Sequence, residues 1–219
     1  MFNVTQVGSW PRSEKLLGAL KDRRNGEITR AQLDRVADDE VRRCVEAQIE
    51  AGVDMVVDGE QRRDSFVSFV TEKVEGTKLM SLEETATDKK AFQKMLEDAD
   101  VKPDSIRNPV CVGKLSRRDP LAVDEFKFVR SLTDYPVKIA LPGPYLLIRT
   151  MWGPKFSKKF YKEPTDMADD VVGILRDELI ELRDAGCDFV QFDEPVLTEV
   201  VHSAGKAAQE GESFSRTFM

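Results

Sequence analysis

Asp184-Ala185-Gly186-Cys187-Asp188-Phe189-Val190-Gln191-Phe192-Asp193-Glu194-Pro195 repeats, in outline, the stretch Glu50-Ala51-Gly52-Val53-Asp54-Met55-Val56-Val57-Asp58-Gly59-Glu60. In each, a helical pattern stops at a glycine suited to a C-terminal cap. A short apolar run follows, and carboxylates come where that run ends. Aligned on Gly52 and Gly186, Glu60 falls opposite Glu194. Helix–strand units of this kind imply right-handed βαβ connections and a parallel sheet. Barrels built from them keep their chemistry at the C-terminal edge of the strands. Asp58-Gly59-Glu60 and Asp193-Glu194-Pro195 are therefore the first places to look for a site.

Further short apolar runs read as strands: Val110-Cys111-Val112, Val137-Lys138-Ile139-Ala140-Leu141 and, more weakly, Phe2 to Val7. Helical patterns separate them. Thr29 and Gln32 form a capping box ahead of Leu33, Val36, Val41, Val45 and Ile49. Met167, Val171, Leu175, Leu179 and Leu182 repeat the helical spacing, and Leu121 to Leu132 reads as a third helix. The charged segment from about 73 to 108 is long for a βα connection and reads as an insertion with a helix near Lys89 to Leu96. No Ser/Gly-rich linker divides the chain, so residues 1–219 read as one domain. The fold expected is α/β, a (β/α)8 TIM barrel of which this chain carries about the first five strands. A barrel needs eight strands, so a longer chain or a partner is expected to supply the remaining wall. An open parallel sheet is the competing architecture.

The 219 residues carry a net charge of −7, with 41% apolar and 33% charged residues. That balance excludes a disordered chain, and the acidity speaks against a nucleic-acid-binding face. No window approaches the length of apolar sequence a membrane helix needs, and Met1-Phe2-Asn3-Val4 lacks the plan of a signal peptide. Three cysteines, widely separated and odd in number, argue for a reducing cytoplasm rather than a disulfide framework.

Val7-Gly8-Ser9-Trp10-Pro11-Arg12 follows the first strand. Gly8 allows close backbone approach, and successive N–H groups can hold a carboxylate; the stretch also reads as an ordinary turn. The paired carboxylates at the two strand ends can grip an ammonium group, a metal or a shared proton, or simply cap helices. Leu141-Pro142-Gly143-Pro144-Tyr145 is a stiff turn after a strand. Lys155, Lys158, Lys159 and Lys162, interleaved with Phe156, Phe160 and Tyr161, form either an anion-holding loop or a solvated face. No cysteine pair has zinc-ligand spacing, so no complete metal site is expected here. His202 has no triad motif around it, and no phosphate-cradling loop is present.

Taken in order, Val7-Gly8-Ser9-Trp10-Pro11, Val57-Asp58-Gly59-Glu60, Val112-Gly113-Lys114-Leu115-Ser116-Arg117, Ser131 to Lys138, Gly143-Pro144 and Leu175 through Asp193-Glu194-Pro195-Val196-Leu197 resemble the catalytic barrel of cobalamin-independent methionine synthase, in its short core form. The resemblance covers the chain to about Val201. It implies methyl transfer from methyltetrahydrofolate or another methyl carrier to the zinc-activated thiol of homocysteine, giving methionine. Zinc acidifies a bound thiol and so supplies thiolate at neutral pH. By position, the backbone of Val7, Gly8 and Ser9 would hold the amino-acid carboxylate, Glu60 and Asp193 its ammonium group, and Glu199 the pterin of the donor. The family's zinc ligands and general-acid histidine lie on later strands, so the resemblance places them beyond residue 219, with the remaining C-terminal half of the barrel as partner. Where folate-using enzymes set a Trp against the pterin this chain has Thr150, and Trp152 stands two positions away. The Arg-Cys pair that touches folate is replaced by Asp104-Ser105.

The chain alone is thus expected to bind the amino-acid end of homocysteine or methionine without activating its sulfur. Two other readings stay open: alkyl transfer to another thiol such as coenzyme M, which has no ammonium for Glu60 and Asp193 to hold, and a non-catalytic partial-barrel interaction subunit.

Overall fold

A computed structural model describes residues 2–85 and 107–197. The helix expected near Lys89 to Leu96, and Glu199, lie outside the described residues. In chain order the elements are α1 (Glu14–Arg24), α2 (Arg30–Glu50), β1 (Val74–Ser81), α3 (Leu82–Thr85), β2 (Arg107–Arg117), α4 (Val123–Arg130), β3 (Lys138–Pro142), α5 (Pro144–Met151), α6 (Pro154–Ser157), α7 (Pro164–Asp184) and β4 (Phe189–Asp193). They divide into two compact units. The first is Met1–Phe69 with Pro120–Leu141 and Arg176–Phe192; the second is Val70–Asp119 with Pro142–Leu175 and Asp193–Met219.

In the first unit, Ser13 accepts from the Leu16 amide to start α1, with Glu14 in the first turn and Lys21, Arg23 and Arg24 in the last, as the helix dipole favours. The Thr29–Gln32 capping box forms as the sequence predicts. Leu33 and Ala37 of α2 pack with Leu16, Ala19 and Leu20 of α1, and Val41, Cys44 and Val45 continue the buried stripe at helical spacing. Gly52, at φ 77°, ends the helix and releases the chain into buried Val53, Val56 and Val57. Parallel bridges join Thr5 to Met55 and Val56 to Val137. β3 is the strand neighbour of β4. Val137 lies beside Asp188 and Gly143 beside Asp193, so these two strands also run in the same direction.

Val110-Cys111-Val112 does not join this parallel set. It lies in β2, which pairs antiparallel with β1 in the second unit. The described residues thus supply four parallel segments and one hairpin, where the apolar runs predict five barrel strands. A short apolar run reports burial but not the direction of the partner strand. The partner here, Val74-Glu75-Gly76-Thr77-Lys78-Leu79-Met80-Ser81, is too charged to stand out. Its register breaks between Glu75 and Thr77, at Gly76, where φ is 78° and an added Cβ would lie 2.2 Å from the Lys114 carbonyl. Only glycine fits that bulge.

The second unit buries Val110, Cys111 and Leu115 of β2, Leu146, Leu147 and Met151 of α5, and Met167 and Val171 of α7. Tyr161, from the lysine-rich stretch, is buried as well. Its hydroxyl accepts from the Leu115 amide at 2.8 Å and donates to Asp170, so this aromatic side chain serves the core. No helix among the described residues is long and apolar enough to cross a membrane.

Helix α4 begins without a cap of its own, because Ala122 offers no side-chain acceptor. Glu178 of α7, fully buried, supplies one from a distance: its two carboxylate oxygens accept from the Leu121 and Ala122 amides, each at 2.7 Å. Glu178→Ala orphans both donors. Urea unfolding followed by circular dichroism should show a loss of about 2–4 kcal/mol. Glu178→Gln keeps one acceptor oxygen and should lose less.

Candidate amino-acid site

The turn after the second parallel segment is built on two left-handed residues. Gly59 has φ 68° and Glu60 has φ 54°. Asp58 starts the turn by accepting from the Glu60 amide at 3.0 Å. Gly59 is obligatory: a Cβ there would lie 2.6 Å from Cys44 Sγ and 2.7 Å from Trp10 Cβ. Glu60 has no such excuse for φ > 0, a conformation that costs a non-glycine residue about 1 kcal/mol. Neighbours hold it there. Trp10 N–H donates to the Gly59 carbonyl at 3.0 Å, Gln61 Nε2 donates to the Trp10 carbonyl at 3.1 Å, and Arg12 Nη2 donates to the carbonyls of Glu60 and Arg63 at 3.1 and 3.0 Å. The loop after the first strand is therefore strapped to the turn after the second.

The Glu60 side chain returns to that loop. Ser9 Oγ donates to Glu60 Oε2 at 2.5 Å, and a Cβ on buried Gly8 would come within 2.7 Å of Glu60 Oε1. The structure thus brings together Gly8, Ser9 and Glu60, three of the residues singled out in the sequence. Val7 adjoins them, exposed, its carbonyl held by Lys138 Nζ at 3.2 Å and Gln191 Nε2 at 3.0 Å. Among the described residues none accepts a hydrogen bond from the amides of Val7, Gly8 or Ser9.

Charge beneath the turn is unbalanced. Arg63, buried, donates through Nε and Nη2 to Glu125 Oε2 at 3.0 and 2.6 Å and through Nη1 to the Ala140 carbonyl at 2.8 Å. Its guanidinium also lies 4.3 Å from the Phe69 ring centroid, and Nη1 is 3.8 Å from Glu60 Oε1. Burial opposes the charged form of Arg63, but Glu125, Asp58 and Glu60 outweigh it and hold the group above its ordinary value. Asp58 is the loser. Burial, and then Glu125, push its carboxyl up to about 6, with Arg63 and the Glu60 amide pulling the other way. Its Oδ2 is buried with no hydrogen-bond partner.

Asp193 belongs to the second unit. It ends β4, half-buried, and its carbonyl accepts from Gly143 N–H at 2.8 Å. Its neighbour Glu194 accepts from the Tyr145 and Leu146 amides at 2.7 and 2.8 Å and so caps α5. Gly143 makes room for it, since a Cβ would lie 2.2 Å from Glu194 Oε1. The two glutamates that align in the internal echo thus do different work. Trp152 closes α5, half-buried, its amide donating to the Ile148 carbonyl at 3.0 Å.

The sequence profile of a family described as "Cobalamin-independent synthase, Catalytic domain" matches residues 2–210. The chain belongs to this family. It is 31% identical over 196 residues to the 5-methyltetrahydropteroyltriglutamate–homocysteine methyltransferase of Thermosynechococcus vestitus, covering 90% of this chain and 24% of that protein. It is 28% identical over 195 residues to the methionine synthase of Sulfolobus acidocaldarius, covering 89% of this chain and 52% of that protein. Among solved structures, a B12-independent methionine synthase from Shewanella sp. W3-18-1, in complex with selenomethionine, superposes with a TM-score of 0.67 at 26% identity over 93% of this chain and 55% of that one. A putative vitamin-B12-independent methionine synthase from Listeria monocytogenes shares the fold at a TM-score of 0.66 and 20% identity, over 97% of this chain and 56% of that one. The fold is accordingly α/β, similar to these synthases. The chain spans about half the length of the methionine synthase it matches and about a quarter of the longer methyltransferase.

Among the described residues no three His, Cys, Asp or Glu side chains gather to hold a metal ion. The three cysteines are free. Burial and then Asp58 push Cys44 up to about 12, and burial raises Cys111 and Cys187. The described residues do not fit a zinc centre.

Sequence reasoning missed Arg63, Glu125, Lys138 and Gln191 as parts of this site. Only the last two leave a mark in the sequence: each is a long polar side chain flanked on both sides by apolar residues of a short apolar run.

Two consequences are measurable. Asp58 binds its proton more tightly folded than unfolded, so the stability it contributes is complete below the ordinary value of 3.8 and is lost as pH rises through about 6. Wild-type unfolding free energy should fall by roughly 1–3 kcal/mol between pH 4 and 7 relative to Asp58→Asn, read by urea titration at several pH values. Gly8→Ala should displace the Glu60 carboxylate and weaken any ligand held there at least about tenfold, measured by calorimetry with methionine.

Proposed function

We propose that this chain binds the α-amino-acid end of homocysteine and methionine and serves methyl transfer to the homocysteine thiol as part of a methionine synthase. One observation carries the reading. A buried carboxylate, Glu60, closes against a loop whose Val7, Gly8 and Ser9 amides are left without acceptors among the described residues. An acceptor for an ammonium group and donors for a carboxylate stand side by side, which is the pattern a zwitterionic α-amino acid demands. The surplus of carboxylates around Arg63 adds an attraction for a second cation. Holding both poles fixes the direction in which the sulfur-bearing arm leaves, so the chain's part is orientation.

Asp193 is assigned to the ammonium group by its position in the family's order of motifs. Trp152 and Glu199 are assigned to the methyl donor on the same positional argument. Part of a (β/α)8 barrel, about its first five strands over residues 1–219 with an insertion at about 73–108, is the architecture proposed from the parallel segments and the related synthases. β4 supports a further strand: Phe189 and Phe192 are exposed, and β3 is its strand neighbour among the described residues. The remaining half of the barrel is thus the proposed partner, and zinc ligands fall to residues outside those described. Three free cysteines agree with a cytoplasmic setting.

Titration calorimetry tests the reading. Methionine and homocysteine should bind the purified chain, and coenzyme M, which lacks the ammonium group, should not. Glu60→Gln should weaken methionine by roughly tenfold or more. Equal binding of coenzyme M, or indifference to Glu60→Gln, would refute it.

A further inference from the structure

We infer that Lys138 and Gln191 are positioning residues that aim the amides of Val7 and Gly8 at the carboxylate of the amino-acid ligand. The inference rests on the reading above and adds two residues to it. Lys138 opens β3, between apolar Val137 and Ile139, and is buried, an expensive place for a charged side chain unless it is well partnered. Its Nζ donates to the Gln6 carbonyl, to the Val7 carbonyl at 3.2 Å and to Gln191 Oε1 at 2.8 Å. An ammonium group has three hydrogens to give, so it can serve these acceptors together. Gln191 completes the clamp, its Nε2 donating to the Val7 carbonyl at 3.0 Å.

The geometry of the peptide unit does the rest. In an extended strand successive carbonyls point to opposite sides; here those of Gln6 and Val7 converge on one nitrogen, so the strand has turned. Each carbonyl shares a planar trans peptide with the next residue's N–H, which points the opposite way. Pinning the Gln6 and Val7 oxygens against Lys138 therefore turns the Val7 and Gly8 N–H groups to the other side, where no acceptor meets them among the described residues. Two successive amides aimed one way form an anion-binding nest, and a positive charge behind them adds to its pull. Val7 has two donors on one carbonyl, more than satisfying a strand end requires. Neither Lys138 nor Gln191 needs to touch the ligand.

The test separates this role from a general structural one by using two ligands. Methionine carries both poles; the amine left when methionine loses its carboxylate carries only the ammonium group. Lys138→Met keeps the length of the side chain and removes its donors. It should weaken methionine by roughly tenfold or more while leaving the amine within about twofold, measured by calorimetry on the purified chain. Glu60→Gln should weaken both ligands. If Lys138→Met does not fold, Gln191→Leu, which removes the second donor to the Val7 carbonyl from a less buried position, carries the same comparison with the same expectation. Should the variant that folds weaken both ligands alike, or neither, the positioning role is overturned while the amino-acid reading stands. If wild-type protein binds neither methionine nor the amine, the amino-acid reading itself fails and this inference with it.

Discussion

A single buried guanidinium cannot neutralise three carboxylates, and the electrostatics of the turn at Asp58-Gly59-Glu60 follow from that shortage. Arg63 is committed to Glu125 and to the Ala140 carbonyl, with the Phe69 ring against its face. Glu125 receives the strongest bonds. Glu60 receives only a distant contact, and Asp58 answers by holding its proton up to about pH 6. A buried pair of this kind is weak evidence of stability, because desolvation consumes much of the Coulomb attraction. Its value lies in what it leaves over: a carboxylate fixed in place and short of a cation. Such a carboxylate suits the proposed ammonium site, since full neutralisation by the protein would remove the reason to bind a cation.

Fixing Glu60 requires that the backbone accept strain. The left-handed Gly59-Glu60 pair carries the side chain back over the loop at Gly8 and Ser9, and the Arg12 and Trp10 bonds hold the pair in that conformation. Strain retained at one residue and over-determined by its neighbours points to function more than to a convenient turn. Glu194 makes the contrast plain. It occupies the aligned position in the internal echo, yet it sits in an ordinary role, satisfying two amides at the start of α5. The same residue type after the same kind of strand does different work because different backbone groups lie against it.

That contrast marks how far the sequence was readable. Local signals were legible: the Thr29–Gln32 box, the terminating glycines Gly52 and Gly186, the βαβ rhythm, and a set of motifs ordered well enough to name a family. Local signals decide local structure, since caps and turns depend on residues a few positions apart. The rest depends on residues far apart in the chain. Arg63 meets Glu125 across 62 positions, and Lys138 meets Gln6 across 132. Neither meeting has a periodicity to betray it. The hairpin went unread for another reason. Its Val74–Ser81 strand owes its place to pairing with β2 rather than to an apolar run, and the Val110–Val112 run expected as a barrel strand is its partner.

Lys138 and Gln191 show what a better reading would have used. An apolar strand hides its neighbours from sequence analysis but makes any polar exception conspicuous. Val-Lys-Ile and Val-Gln-Phe each place a hydrogen-bonding side chain where a hydrocarbon would pack at less cost. Such an exception persists in a fold only when its partners compensate, so it predicts a specific, geometrically demanding partner even when it cannot name one. Here the partners are backbone carbonyls at the head of the chain, groups that composition never reveals. Two strands, separated in the chain by helices α5 to α7, therefore each contribute one polar residue to hold one loop. Both polar residues stand in strands whose neighbouring side chains are apolar, and both reach the carbonyl of Val7.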